Sequence, residues 1–293
     1  MSDLKQFNLT IANPRTQEYL GNVLANKKDS FVNNITALVS NNKALQECEP
    51  MSVMYAGIKA TALDLPLDAN LGLAYVIPYK NKDKVEAQFQ IGYKGLIQLA
   101  IRSGQFKTIN VTEVKEGELK EFDLLTGEIK FEAAQDRAKR KTIGYVAYFR
   151  LTNGFEKTMY STVDEITEHA KKFSKTFAFK GGVWQTNFDA MAKKTILKNI
   201  ISHYAPLSVD MQQAITSDQA TINKDMSANY VDNGNSPKVE ETEYRDVTME
   251  TPQDAALQQQ EQQPMQQAQA QAQVQEPVQP QPAQQQTMNY NFD

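Results

Sequence analysis

The sequence predicts an α+β fold: antiparallel β-sheet and hairpins packed with helices, a helical N-terminal region and a disordered C-terminal tail. Three observations predict it. The first sixty or so residues carry apolar side chains at helical spacing. The stretch from 73 to 160 switches to period-two alternation broken by turn-forming pairs. Residues 251–293 hold 17 glutamines with Pro and Ala and almost nothing to bury, so they cannot offset the entropy of ordering.

The elements follow in order. Residues 1–49 read as helical, with Asp29 or Ser30 suited to cap a helix carrying Phe31, Ile35, Leu38 and Val39 on one face. Pro50 suits the first position of a further helix, where a missing N–H costs nothing. Met51, Met54, Tyr55, Ile58 and Ala62 form its apolar stripe, and Leu65-Pro66-Leu67 ends it. Residues 73–79 and 85–91 flank the polar turn Lys80-Asn-Lys-Asp-Lys84. Val85, Ala87, Phe89 and Ile91 alternate with Glu86, Gln88 and Gln90, which marks a half-buried hairpin strand. Gly92-Tyr-Lys-Gly95 leads into a helix with Leu96, Leu99 and Ala100 inside, closed near Gly104.

Strand-like runs follow over 108–115, over 119–131 across the Leu125-Thr-Gly127 turn, and over 141–151. Asn153-Gly154 is a hairpin turn signal that pairs 155–160 back. Thr162-Val-Asp-Glu165 has capping-box spacing and starts a helix to about 173. A glycine-containing loop precedes a helix from 185 to about 204, which Pro206 ends. The boundary between order and disorder is expected between Asp218 and Asp232. Three regions result: a helical segment over 1–49 with a possible oligomer contact, a core over 50–224, and an acidic Gln-rich tail over 225–293.

The formal net charge of -4 hides an asymmetry. Residues 225–293 carry eleven acids and two Lys/Arg, whereas residues 1–224 carry 24 acids and 29 Lys/Arg. A mildly basic body with an acidic tail points to a polyanion partner. Other classes are disfavoured. Cys48 is the one cysteine, so no intrachain disulfide or Cys-rich zinc site can form. His169 and His203 stand apart from one another in the sequence. The opening Met1-Ser-Asp-Leu-Lys-Gln lacks a signal-peptide core, and no apolar run is long enough to span a bilayer, so a soluble intracellular protein is expected. There is no G-x-x-x-x-G-K-[ST] loop for ATP and no G-x-S-x-G elbow. Glu113-Val-Lys115 matches the E-x-K piece of many metal-dependent nucleases, with Asp83 as a distant ligand, but a solvated strand face offers the same residues.

Positive groups interleaved with aromatics carry more information. Lys94, Gln98 and Arg102 recur every four residues opposite Leu96, Leu99 and Ala100. Gln88, Gln90, Tyr79, Lys80 and Tyr93 lie on the hairpin and the turn next to that stripe. A second stretch alternates lysines, including Lys172 and Lys175, with Phe173, Phe177, Phe179 and Trp184. Such a run resembles a backbone-tracking loop with stacking platforms, although some of its aromatics are expected to fold inward. The third is the helix carrying Lys193, Lys194 and Lys198, with no acid after Asp189. It reads as an uncompensated cationic ridge, whose reversal by Lys193→Glu with Lys194→Glu is expected to spare the fold. Together the three favour a groove for single strands over a duplex-reading helix.

These residues also resemble a known family. Leu63-Asp-Leu-Pro-Leu67, Leu71-Gly-Leu-Ala-Tyr-Val-Ile-Pro-Tyr79, Gln88-Phe-Gln-Ile-Gly-Tyr-Lys-Gly95 and Arg102-Ser-Gly-Gln105 match the RecT family of phage and prophage single-strand annealing recombinases. The match continues through Val114-Lys-Glu-Gly-Glu118, Asn153-Gly-Phe-Glu-Lys157 and Trp184 to Met191-Ala-Lys-Lys-Thr195, in order over roughly residues 30–220. The resemblance implies ATP-independent binding of single-stranded DNA, annealing to a complement and retention of the duplex intermediate. It implies self-assembly into a ring or helical filament, a 5′–3′ exonuclease partner, no cofactor, no membrane, no covalent reaction, and action in the cytoplasm of a bacterial host. It places DNA contacts at Lys94, Arg102, Trp184, Lys193 and Lys194. A passive single-strand coating protein, or a nuclease built on Glu113 and Lys115, remains as an alternative.

Overall fold

The computed structural model describes residues 3–81, 84–174, 177 and 182–230. The tail expected to be disordered lies outside these residues. Four helices open the chain: α1 (Asp3–Ala12), α2 (Pro14–Leu24), α3 (Lys28–Ser40) and α4 (Lys43–Gln46). α3 starts before the expected caps. Its N-cap is Lys27, whose side chain makes no capping bond, so burial of Phe31, Ile35 and Val39 holds its start instead. α5 (Pro50–Ala62) begins on its proline as expected, and Ser52 to Ala60 are buried in a nearly unbroken run. Gly57 lets α3 lie against α5, because a Cβ there would meet the Phe31 and Ile35 side chains at 2.9 Å.

Among the described residues, the strands form three antiparallel sheets. β1 (Ala74–Asn81) and β2 (Lys84–Ile91) form the expected hairpin, with Tyr75 opposite Gln90 and Ile77 opposite Gln88. Residues opposite one another share a face. Tyr75, Ile77 and Tyr79 therefore lie with Gln90, Gln88 and Glu86, while Val76, Ala87, Phe89 and Ile91 are buried on the other face. Two strands absent from the sequence reading complete this sheet: β8 (Ala220–Ile222) pairs with β2 and β9 (Ala228–Asn229) with β8. The second sheet runs β3 (Phe106–Lys115), β6 (Thr142–Leu151), β7 (Glu156–Thr162), and the third is the short hairpin of β4 (Leu119–Phe122) and β5 (Ile129–Phe131).

The remaining helices are α6 (Tyr93–Arg102), α7 (Val163–Phe173), α8 (Val183–Thr186), α9 (Phe188–Tyr204) and α10 (Val209–Ser217). The Thr162–Glu165 capping box closes as its spacing predicts: the Glu165 N–H donates to Thr162 Oγ1 (3.1 Å) and the Thr162 N–H to Glu165 Oε2 (2.8 Å). The helix expected over 185–204 is instead two helices broken at Asn187, which has ψ 53°. α6 and α10 pack on one another, and α9 joins α6 to the second sheet. One continuous apolar core runs from Phe7 to Ile222.

Candidate nucleic-acid interface

The Gly92-Tyr-Lys-Gly95 segment sets the geometry. The Gly92 N–H donates to Leu73 O at 2.9 Å. A Cβ at Gly92 would collide with Gly72 O, and one at Gly95 with Leu73 O. Only glycine allows the first turn of α6 to lie on the 72–73 backbone. Gly72 itself adopts φ +68°, in the left-handed region. This contact brings Tyr93 and Lys94 beside Tyr75 at the mouth of a cleft of about 390 Å³. Ile77 and Met191 supply apolar walls, Gln90, Asn70 and Asn187 supply amides, and Asp189 a carboxylate. α9 closes the cleft with Lys193 and Lys194.

Lys193 is more enclosed than a ridge residue. Its ammonium pairs with Glu113 Oε1 at 2.5 Å and lies 5.6 Å from the Tyr93 ring centroid. Burial alone would raise the Glu113 carboxyl, but the Lys193 hydrogen bond, its charge and that of Lys115 hold it below the ordinary range. Lys115 Nζ donates to Thr142 Oγ1 at 2.8 Å. The E-x-K pair is thus engaged with neighbours, and Asp83 lies outside the described residues. Among the described residues, no group of three His, Cys, Asp or Glu is placed to hold a metal ion. Deeper in, the Tyr145 hydroxyl donates to Asp189 Oδ1 at 2.5 Å, and burial followed by that carboxylate pushes the phenol pKa up.

The uncompensated ridge is corrected by Asp218. Lys194 Nζ donates to Asp218 Oδ1 at 2.7 Å and Lys198 Nζ to Oδ2 at 2.8 Å. Asp218 Oδ1 also accepts the Ile91 N–H at 3.1 Å. The acid that neutralises α9 comes from beyond α10, so inspection of the helix alone could not find it. Lys194 is buried and separates the tyrosine cleft from a second one of about 290 Å³. The second cleft holds His169, Phe173, Trp184, Lys198 and Tyr230. Burial first, then Lys198 and Lys172, keeps the His169 imidazole pKa below its usual value.

The other expected contacts fall into three groups. Lys94, Gln98 and Arg102 form the exposed stripe on α6, with Arg102 Nη2 donating to Leu63 O at 2.5 Å. Lys80 is exposed on the hairpin, and Tyr79 and Gln90 are half-buried. Lys172 is exposed, 5.2 Å from the Phe173 ring centroid, while Lys175 lies outside the described residues. Trp184 and Gln88 are not open to a strand. Trp184 is buried between Phe177 and Phe188, with ring centroids at 6.0 and 5.6 Å. Gln88 is 2% exposed, because β8 lies against β2 with Thr221 opposite it. Neither Trp184 Nε1 nor Gln88 Nε2 has a hydrogen-bond partner among the described residues. Tyr75 is not among the expected contacts: the strands run on to Asn81 and Lys84, one register step from the pairing that a Lys80–Lys84 turn implies, and this places Tyr75 opposite Gln90.

The site is an aromatic and amide-lined cleft on a mixed helix–sheet scaffold, with Lys94, Lys193, Lys194 and Asp189 around it. Comparison with known proteins matches the RecT family over residues 29–232. The chain is 42% identical to the Bacillus subtilis (strain 168) uncharacterized protein YqaK over 212 residues, covering 72% of this chain and 71% of that protein. It is 32% identical to protein RecT of Escherichia coli (strain K12) over 180 residues, covering 60% of this chain and 65% of that protein. The chain belongs to the RecT family. Among the described residues, no helix is long and apolar enough to cross a membrane.

Proposed function

We propose that this protein binds single-stranded DNA along the tyrosine cleft and anneals it to a complementary strand in phage-type homologous recombination, without hydrolysing a nucleotide. The observation that carries the reading is convergence: Gln90, Tyr93, Lys94 and Lys193, from three segments of the sequence, line one cleft within the family-matching region. The E. coli relative named RecT supports it. Lys80, Gln98 and Arg102 extend the polar track on the hairpin and α6, with Tyr79 beside them, and Lys172 and Lys198 serve the second cleft. Trp184, Phe177, Gln88 and Lys194 act from behind, holding the walls.

Two strands resist pairing because their phosphates repel. Lysines beside one backbone displace its counterions and lower that repulsion. Each stacked step then releases about 1.4 kcal/mol, which summed over a duplex exceeds any single protein contact. No covalent step or cofactor is required. An oligomer keeps successive short sites in register on one strand and retains the new duplex. A 5′–3′ exonuclease acting on duplex ends supplies the single strands, and the setting is the bacterial cytoplasm. The test is the hybridisation rate of matched oligonucleotides in ATP-free buffer. Acceleration by the full chain supports the reading. Tight strand binding that slows pairing turns the protein into a passive coat, and magnesium-dependent loss of labelled DNA turns it into a nuclease.

A further inference from the structure

The tyrosine cleft has a chemistry that backbone tracking alone does not require. Tyr75 stands on β1 and Tyr93 at the start of α6, with Gly72 and Gly92 beside them. Both glycines crowd Tyr75: a Cβ at Gly72 would lie 3.0 Å from its hydroxyl, and one at Gly92 would lie 3.2 Å from its Cε2. The phenol is therefore held from behind by backbone. Within the cleft, Ile77 and Met191 offer an apolar surface. Gln90, Asn70 and Asn187 present amides, which donate and accept equally well. Lys94 lines it from α6, and Lys193, paired with Glu113, from α9.

Aromatic faces suit a flat heterocycle, amides suit its hydrogen-bonding edge, and ammonium groups suit the adjoining phosphate. We infer that the cleft receives one nucleotide of the bound strand, turned out of the base stack, with its base against Tyr75 and Tyr93 and its phosphate at Lys94. The inference rests on the DNA-binding reading above and deepens it. Amides that serve as donor or acceptor accept any of the four bases, so the pocket is sequence-tolerant. A base held there cannot pair. Each subunit then divides the strand into a stretch open to the complement and one nucleotide withheld from it, and the withheld base joins the duplex last.

The test uses the full chain and thymidine oligonucleotides carrying one 5-iododeoxyuridine, which crosslinks to nearby aromatic side chains in ultraviolet light. Mass spectrometry of the crosslinked peptides is expected to place the iodouracil on Tyr75 or Tyr93. Tyr75→Leu keeps apolar bulk and removes the flat ring. It is expected to lose the crosslink at residue 75 and to bind the thymidine strand about tenfold more weakly, the scale of one base–aromatic stack. On a wholly abasic strand the wild type and Tyr75→Leu bind alike, and Tyr75→Phe restores thymidine binding. Tight binding with crosslinks confined to other elements, or equal affinity of Tyr75→Leu and wild type for the thymidine strand, overturns the pocket and leaves DNA binding intact. Failure to bind either strand defeats the DNA-binding reading itself, and the pocket with it.

Discussion

Lys194 and Asp218 form an ion pair at 2.7 Å with side chains only 6% and 1% exposed. Asp218 also accepts the Ile91 N–H, so the pair joins α9 to the last residue of β2, directly before Gly92 and the tyrosine cleft. A family-matching lysine is thereby a structural one. Its charge holds the wall between two clefts, and Lys193, one residue earlier, faces the tyrosine cleft.

Removing one member of this pair leaves the other charged and buried. Lys194→Met leaves Asp218 with Lys198 and the Ile91 N–H as partners, so it is expected to cost about 1–3 kcal/mol of stability, less than a wholly unpaired buried charge, read from the midpoint of urea unfolding. Lys194→Glu sets two carboxylates together and costs more. The double reversal of Lys193 and Lys194 is therefore expected to disturb the wall as well as the cleft, so loss of annealing by it is read only beside its unfolding midpoint. A midpoint for Lys194→Met within error of wild type would show the pair to be dispensable.

Acid should reveal the same carboxylate. Burial alone would raise the Asp218 pKa, but Lys194, Lys198 and their hydrogen bonds outweigh it and hold the pKa below the ordinary aspartate value. An acid depressed in the folded state adds stability above its unfolded pKa of about 3.9 and loses it as pH falls through the folded value. Wild-type stability should therefore decline below about pH 4 more steeply than that of Asp218→Asn. Parallel acid limbs for the two proteins contradict the assignment.

Salt separates phosphate contacts from structural lysines. Lys94 is exposed on the α6 stripe. Lys94→Ala should reduce the slope of log affinity against log salt by about 0.7 for a single strand, uniformly across sequences. Glu113→Gln should have the opposite effect, since it releases Lys193 from its 2.5 Å partner and adds one phosphate contact. Fluorescence anisotropy across a salt series measures both.

The glycine seam predicts a steric effect. A methyl group at Gly95 cannot avoid Leu73 O, which is backbone and cannot swing away. Gly95→Ala should destabilise by at least the 1–3 kcal/mol typical of overpacking and should displace α6. At Gly104, where a Cβ meets nothing within 4 Å, the cost is only that of φ +69°. Denaturant unfolding of the two variants ranks these effects.

Local chemistry made much of the fold legible. Pro50, the Asn153-Gly154 turn, the Thr162–Glu165 box and the alternation of residues 85–91 each fix their own neighbourhood, and each reappears in the structure. Features that depend on distant partners were not legible. β8 is three residues long and is a strand only because the β2 edge accepts it. Gln88 reads as polar and exposed by period, yet that same pairing buries it. Nothing in the sequence around Glu118 marks it as buried, yet it is fully enclosed and accepts the Lys115 and Ala134 N–H groups beside the Arg137 guanidinium. The lysines of α9 read as a ridge because their counter-ions lie outside the helix, Glu113 on β3 for Lys193 and Asp218 beyond α10 for Lys194 and Lys198. Periodicity gives the side a residue faces, and only packing decides what covers that side.

The late pairing of β8 and β9 with the hairpin also governs where the polypeptide can be cut. Removing everything after residue 224, an obvious place to shed the glutamine-rich end, would take away β9 and Tyr230, whose hydroxyl donates to Thr216 O. The outer margin of β8 would then present bare amides and carbonyls, an invitation to sticky association between molecules. Such a shortened protein would clump for reasons unrelated to DNA, and its aggregates could be misread as functional filaments. A terminus placed at residue 230 or later keeps that margin sealed.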